Sequence, residues 1–207
     1  MENIELNCNR QYILAGDISA SMNQKDHECA GLSRYNYMLE KFKSFIKSAE
    51  DFDADGVTVI TYGENVKVYR NTTLDNVDKY LDNPNFEGFT NTHLVVEEAY
   101  NLHREEKREL KKTDNKHPGT VLFIFTDGEP TNQAALERVI VKIANEVESD
   151  DEFSIGFLTV GTISKELNQY LEKLDDGLKN KTKYDIVGVK KLENVTFLQA
   201  VNNAINE

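Results

Sequence analysis

The sequence predicts an α/β protein: one doubly wound sheet of six strands, mostly parallel, with a short antiparallel edge strand and helices on both faces. Three observations lead there. Strand-like and helix-like segments alternate along the chain, the signature of an α/β fold. The run Val121-Leu122-Phe123-Ile124-Phe125 is continuously apolar, which suits a central parallel strand covered on both faces. Gly63-Glu64-Asn65 is a reversal too short for a crossover, so the strands it joins can only pair antiparallel.

The first strand is the apolar run Tyr12-Ile13-Leu14-Ala15. Ser33 is placed as the N-cap of a helix from Arg34 to Glu50. Within it Tyr35, Met38, Leu39, Phe42, Phe45, Ile46 and Ala49 follow the spacing of one buried face. Asp55-Gly56 marks a turn into strand two, Val57 to Tyr62. Strand three, Val66 to Tyr69, alternates apolar and polar. A short helix from Leu74 to Leu81 ends at Asn83-Pro84-Asn85, and a long one runs from Thr92 to about Leu110. Strand four spans Thr120 to Thr126, and a helix follows from Ala134 to Val147. Strand five is Phe153 to Val160, with a helix from Ile163 to Leu174. Strand six is Tyr184 to Val189, and the last helix is Thr196 to Ile205.

A chain of 207 residues fits one domain. Its net charge of −12 argues against sequence-independent nucleic-acid binding, which needs Lys and Arg against phosphates. The same charge argues against docking on anionic membrane, and no apolar run approaches the ~20 residues needed to span a bilayer. The start, Met1 to Asn7, has neither a basic region nor an apolar one, so no signal peptide is expected. Cys8 and Cys29 fit no disulfide framework or zinc spacing and read as free thiols of a cytosolic protein; a single bridge between them stays open.

The chemistry sits at strand ends. Asp17-Ile18-Ser19-Ala20-Ser21 follows the first strand, and in extended backbone alternate residues point to one side. Asp17, Ser19 and Ser21 can therefore converge, offering the oxygen-only ligands a hard divalent cation requires. Asp127 lies just past strand four, in Thr126-Asp127-Gly128-Glu129-Pro130. Between them Gly88-Phe89-Thr90-Asn91-Thr92 precedes the long helix, and Thr90 offers a further hydroxyl.

These three pieces together resemble the metal-ion-dependent adhesion site of von Willebrand factor A domains. That pattern is Asp-x-Ser-x-Ser, a Thr in a Gly-rich loop, and an Asp in a Thr-Asp-Gly turn. From about Gln11 onward the chain is also similar to stand-alone bacterial versions of the domain found in tellurium-resistance and stress-response gene neighbourhoods. The supporting segments are Ser33-Arg34-Tyr35, Phe123 to Pro130, Leu174-Asp175-Asp176-Gly177-Leu178, Tyr184-Asp185-Ile186-Val187 and Phe197-Leu198-Gln199-Ala200-Val201. The resemblance implies a domain over 11–207 after an N-terminal extension at 1–10. It also implies a Rossmann-like layout with strand order 3-2-1-4-5-6, whose winding reverses between strands one and four. Ligands bind at such a switch point, outside the carboxyl strand ends.

The resemblance further implies that Ser19, Ser21 and Thr90 ligate a cation through their hydroxyls, while Asp17 and Asp127 hold it directly or through water. Mg²⁺ is expected, with Mn²⁺ or Ca²⁺ also compatible. A protein partner then completes the shell with an Asp or Glu carboxylate. The chain would be a cytoplasmic binding module, not an enzyme, and a monomer outside its complex. An alternative is a Mg²⁺-dependent phosphatase or phosphotransferase of the haloacid dehalogenase type. Those enzymes also place an Asp at the end of strand one, but need a second Asp two residues later as general acid. Ser19 stands there instead. A receiver-type domain would need an acidic pair and a late Lys, where the sequence has Asp17 alone and Val160-Gly161-Thr162.

Around this set, Asp26, His27 and Glu28 read as a solvated loop, His93 as a helix-start surface residue, and Glu129 as charge at the start of a helix. Arg34 is expected to anchor the first helix to an acidic neighbour that the sequence does not name. Asp17 and Asp127, brought together without a cation, would repel. Asp127→Asn is therefore expected to leave the metal-free protein at least as stable.

Overall fold

The computed structural model describes residues 9–52 and 56–205. Its strands are β1 (Gln11–Asp17), β2 (Val57–Tyr62), β3 (Val66–Thr72), β4 (Thr120–Thr126), β5 (Phe153–Thr159) and β6 (Val187–Lys191). Its helices are α1 (Arg34–Ala49), α2 (Val77–Leu81), α3 (Thr92–Lys112), α4 (Gln133–Glu146), α5 (Lys165–Asp175) and α6 (Phe197–Ile205). The strands form one sheet in the order β3-β2-β1-β4-β5-β6. Every pairing is parallel except β2 with β3. This is the doubly wound architecture that the alternating segments predict.

Period-two geometry sorts the strand side chains onto two faces. Val121, Phe123 and Phe125 of β4 join a core with α1 and α6, while Leu122 and Ile124 join one with α3, α4 and α5. Every residue of β4 and β5 is buried, as central parallel strands must be when helices cover both faces. Rings fill the first core: Phe42 lies 4.5 Å from Phe125 and Phe45 lies 5.6 Å from Phe123, centroid to centroid. Gly16 lets α1 approach, since a Cβ there would meet Met38 Cε at 3.0 Å and Phe42 Cζ at 3.2 Å. The helix that packs on β1 is thus set close to the strand carrying Asp17.

Several expected boundaries move, each for a local reason. The start of α1 does not move: the helix begins at Arg34, with the Ser33 hydroxyl accepting the Asn36 N–H at 3.2 Å, as its cap position demands. The helix expected from Leu74 starts only at Val77. Asn76 takes the intervening residues into a turn, accepting the Thr73 N–H at 2.9 Å and donating to the Asn71 carbonyl at 3.1 Å. β3 continues to Thr72 because pairing with β2 resumes beyond an irregularity, with Val57 opposite Thr72. β6 is displaced to Val187–Lys191. Tyr184 instead sends its hydroxyl to the Glu148 carbonyl at 2.6 Å, while Lys190 and Lys191 pair with Leu158 and Thr159. Lysines suit an edge strand, and edge strands carry no strong apolar signal. Two short 3₁₀ turns, Ala20–Asn23 and Leu192–Asn194, were not anticipated.

Cys29 is a buried free thiol, and burial pushes its pKa up to about 11. Cys8 lies outside the described residues, as do most of the expected N-terminal extension and Asp55 of the expected turn. No helix among the described residues is long and apolar enough to cross a membrane.

Candidate metal centre

β1 and β4 are neighbours in register, with Gly16 opposite Phe125, so the residues that follow each strand emerge side by side. Asp17 is fully buried at the end of β1. Its Oδ1 accepts the Ser19 N–H at 2.7 Å, and its Oδ2 accepts the Thr126 hydroxyl at 2.8 Å. Beyond Asp17 the chain closes into the 3₁₀ turn at Ala20–Asn23 instead of staying extended. The turn still brings the serines together, with Ser19 Oγ 3.1 Å from Ser21 Oγ. Ser21 in turn donates its hydroxyl to Asp127 Oδ1 at 2.9 Å.

Thr90 arrives from the third loop and is itself buried. A Cβ at Gly128 would lie 3.8 Å from Thr90 Oγ1 and 3.9 Å from Ser21 Oγ, so both hydroxyls face the space beside Gly128. The structure thus gathers Asp17, Ser19, Ser21, Thr90 and Asp127 at the switch point between β1 and β4. The three loops are also held to one another. Ala20 N–H donates to the Glu87 carbonyl and Glu87 N–H to the Ile18 carbonyl, both at 2.9 Å. Thr131 N–H donates to the Thr90 carbonyl at 3.0 Å, and the Thr90 N–H reaches the Thr131 hydroxyl at 2.9 Å.

The electrostatics of the two carboxylates differ. Burial, with the nearby charge of Asp127, raises the Asp17 pKa to about 7 against the lowering effect of its hydrogen bonds. Asp127 instead has a cation of the chain's own: Arg34 Nη1 lies 2.6 Å from its Oδ2. The acidic neighbour that Arg34 was expected to have is therefore double, because Nε and Nη2 also hold Asp26 Oδ2 at 3.0 and 2.9 Å. This changes the expectation for Asp127→Asn, since the carboxylate answers an arginine as well as facing Asp17.

Asp26 is not a solvated loop residue; it is buried, while His27 beside it is exposed. Burial alone would raise the Asp26 pKa. The N–H groups of Thr162 and Glu28, together with Arg34, outweigh it and hold the carboxyl well below the usual range. Glu129 is exposed and lies 3.3 Å from both the Ser164 hydroxyl and the Gln133 amide, which fits its reading as charge near the starts of α4 and α5. His93 is half-buried and not a fully exposed surface residue, and its buried Nδ1 has no hydrogen-bond partner among the described residues.

Thr126, Thr131 and the Arg34–Asp26 pair were not identified as part of the site from sequence. Thr126 lies within the Thr-Asp-Gly turn itself and could have been read as the hydroxyl that steadies Asp17. Thr131 follows Pro130 and carries no comparable signal.

The donors that converge here are carboxylate and hydroxyl oxygens, with a buried carboxylate short of positive charge. That is the chemistry a hard divalent cation fits: Ser19, Ser21 and Thr90 could offer hydroxyls, and Asp17 and Asp127 carboxylates.

Comparison with known proteins agrees with this architecture. The family description "von Willebrand factor type A domain" matches residues 12–129, the span from β1 past Asp127. Among solved structures, a manganese-loaded TRAP protein from Plasmodium vivax is similar in fold, with a TM-score of 0.57 and 12% identity. That likeness covers 92% of this chain and 72% of the TRAP chain. A PilB minor pilin from Streptococcus sanguinis has a TM-score of 0.58 at 13% identity, over 92% of this chain and 59% of the pilin. At such identities the likeness is one of fold. No curated protein sequence matches the chain. The family match takes in more than half of the sequence, and this chain belongs to the von Willebrand factor type A domain family.

Proposed function

We propose that the chain is a metal-dependent protein-binding module. It would recruit an acidic segment of a partner protein through a divalent cation, and it would act by binding, not catalysis. The observation that carries this reading is the buried Asp17 beside Asp127, fringed by the Ser19, Ser21 and Thr90 hydroxyls at the carboxyl ends of β1 and β4. A cation there would supply positive charge to Asp17 and an open coordination position for a partner's Asp or Glu carboxylate. Mg²⁺ is the ion of choice for an oxygen-only set, with Mn²⁺ and Ca²⁺ chemically close. The manganese named for the TRAP structure supports the same class of ion.

Ser19 supports binding over phosphoryl chemistry. A phosphatase of the haloacid dehalogenase type needs a second carboxylic acid at that position, and here the Ser19 hydroxyl lies beside Ser21. The net charge of −12 favours cations over nucleic acid or anionic membrane as partners. We place the module in the cytoplasm as a monomer outside its complex. The segments similar to stand-alone bacterial relatives favour a stress-response or tellurium-resistance assembly.

The test is recovery of partners from a lysate of the source organism. Partners are expected with Mg²⁺ present, and are expected to be lost with EDTA or with Thr90→Ala, which removes a hydroxyl without changing charge. Turnover of a general phosphatase substrate that Asp17→Asn abolishes, with no metal-dependent partner recovered, would reverse the reading.

A further inference from the structure

Arg34 is not one of the oxygen donors, yet it shares a carboxylate with them. Asp127 Oδ1 takes the Ser21 hydroxyl at 2.9 Å, and Oδ2 takes Arg34 Nη1 at 2.6 Å. The guanidinium is fixed from its other side. Nε and Nη2 hold Asp26 Oδ2 at 3.0 and 2.9 Å, and Nη2 also donates to the Thr162 carbonyl at 2.9 Å. Asp26 is anchored in turn by the Thr162 N–H at 2.9 Å, the Thr162 hydroxyl at 3.1 Å and the Glu28 N–H at 3.0 Å. Only 16% of the Arg34 side chain is exposed. Gly161, at φ +67°, leaves room for the assembly, since a Cβ there would lie 2.8 Å from Asp26 Oδ2 and 3.2 Å from Arg34 Nε. An arginine held in this way cannot leave Asp127 by a simple change of rotamer.

We propose that Arg34 is a resident counter-charge of the cation site, which keeps the affinity for a bare divalent cation low. This rests on the proposed metal-binding reading of the site. A cation placed among Ser19, Ser21, Thr90 and Asp127 sits close to a fixed positive charge that draws on the same carboxylate. Like charges at such range repel even in a partly solvated site. The guanidinium does not reach Asp17, whose oxygens are taken by the Ser19 N–H and the Thr126 hydroxyl. The positive charge is thus felt on one side of the site only. A cation held weakly by the chain alone is retained best when a partner's carboxylate adds negative charge, so Arg34 ties occupancy to the presence of the partner.

The test is titration calorimetry with Mn²⁺ alone on the wild-type chain and on Arg34→Gln, Arg34→Lys, Arg34→Gln/Asp26→Asn and Asp17→Ala. Each is checked for folding by thermal melting. Arg34→Gln is expected to bind Mn²⁺ about tenfold more tightly, the strength of one charge acting on a dication about 6 Å away under water-like screening. Arg34→Lys keeps the charge and is expected to stay within about threefold of wild type on the same argument. The double variant removes both members of the Arg34–Asp26 pair, so it leaves no buried Asp26 unpaired. It is expected to bind more tightly than wild type, though less so than the single variant. Equal or weaker binding in both Arg34→Gln and the double variant overturns the proposal, and weaker binding in Arg34→Gln and Arg34→Lys alike would mark Arg34 as a structural brace. If Asp17→Ala binds Mn²⁺ as wild type does, the proposed site itself fails, whatever the arginine variants do. Loss of binding in Asp17→Ala without tightening in either Arg34→Gln or the double variant removes the Arg34 inference alone.

Discussion

Two buried groups at opposite ends of the same sheet, His103 and Asp17, are treated in opposite ways. At the amino ends of the strands the chain answers its own polar groups. His103 on α3 is buried with Nδ1 2.9 Å from the Thr120 hydroxyl and Nε2 3.2 Å from Glu152 Oε1. Glu152 also receives Lys107 Nζ at 2.7 Å and the Glu148 N–H at 2.8 Å. Arg10 closes the neighbouring gap by donating to the Asp151 carbonyl and, at 3.2 Å, to its carboxylate. At the carboxyl ends Asp17 is held by the Ser19 N–H and by hydroxyls, and no ion pair joins it to a basic side chain among the described residues. A cavity of about 420 Å³ opens at the amino end, lined by residues that include Lys107, His117 and Glu152. The difference teaches that the presence of a cavity is a poor guide here. The surroundings of this cavity are electrostatically settled, whereas Asp17 lacks a basic partner, and it is there that a cation would add most.

That contrast is open to direct attack. The largest effect is expected for Asp17→Ala, which should weaken Mg²⁺ or Mn²⁺ binding by more than about a hundredfold, since loss of a buried charged ligand forfeits about 3 kcal/mol or more. Glu152→Gln at the other end should leave that affinity unchanged. Titration calorimetry on both variants decides the matter, and equal affinities would erase the distinction between the two ends.

Stability of the metal-free protein comes next. Asp127→Asn should cost about 3 kcal/mol, because it leaves a mostly buried arginine with half of its charge partners gone. Glu152→Gln should cost about 2 kcal/mol through weakened bonds to His103 and Lys107. Urea unfolding in EDTA measures both. An unchanged midpoint for Asp127→Asn would show that Arg34 gains little from it.

The smallest expected effect is one of pH. Burial lowers the His103 pKa, and burial with the charge of His103 lowers that of His117 to about 4. Both folded values fall below the ordinary histidine value of about 6.5. Their contribution to stability is therefore full above about pH 6.5 and is lost as pH falls from there through about 4. Asp17, whose folded pKa is raised to about 7, gains stability over the same fall in pH, so the histidine loss is read as a difference: from about pH 6.5 to about 4, wild type should lose about 2–4 °C more in melting temperature than His117→Gln. An equal change in the two would place the acid sensitivity elsewhere.

Much of this molecule was legible in its sequence, and what was legible was local. The Ser33 cap, the buried face of α1 and the unbroken apolar run of β4 each follow from neighbours within a few residues. The five oxygen donors stood out because each lies in a short segment next to a strand end. The Arg34 clamp did not. Asp26, Asp127 and Thr162 come from three different loops, and no spacing in the sequence pairs them with an arginine at the start of α1. β6 was misplaced for a different reason: Lys190 and Lys191 complete the strand at the sheet's edge, where solvent on one side removes the need for apolar residues. The 3₁₀ turn at Ala20–Asn23 was hidden because extended and turned backbones both converge Ser19 and Ser21.

The backbone bonds between Ile18, Ala20 and Glu87, and those between Thr90 and Thr131, bind the three site loops into one body. A loop that cannot move alone cannot open alone. In hydrogen exchange the amides of Ala20, Glu87 and Thr131 should therefore share a single protection level, set by one joint opening event. The rim that the proposed partner would meet is consequently rigid before contact. The ordering entropy that flexible binding loops surrender at the moment of docking has here been surrendered during folding.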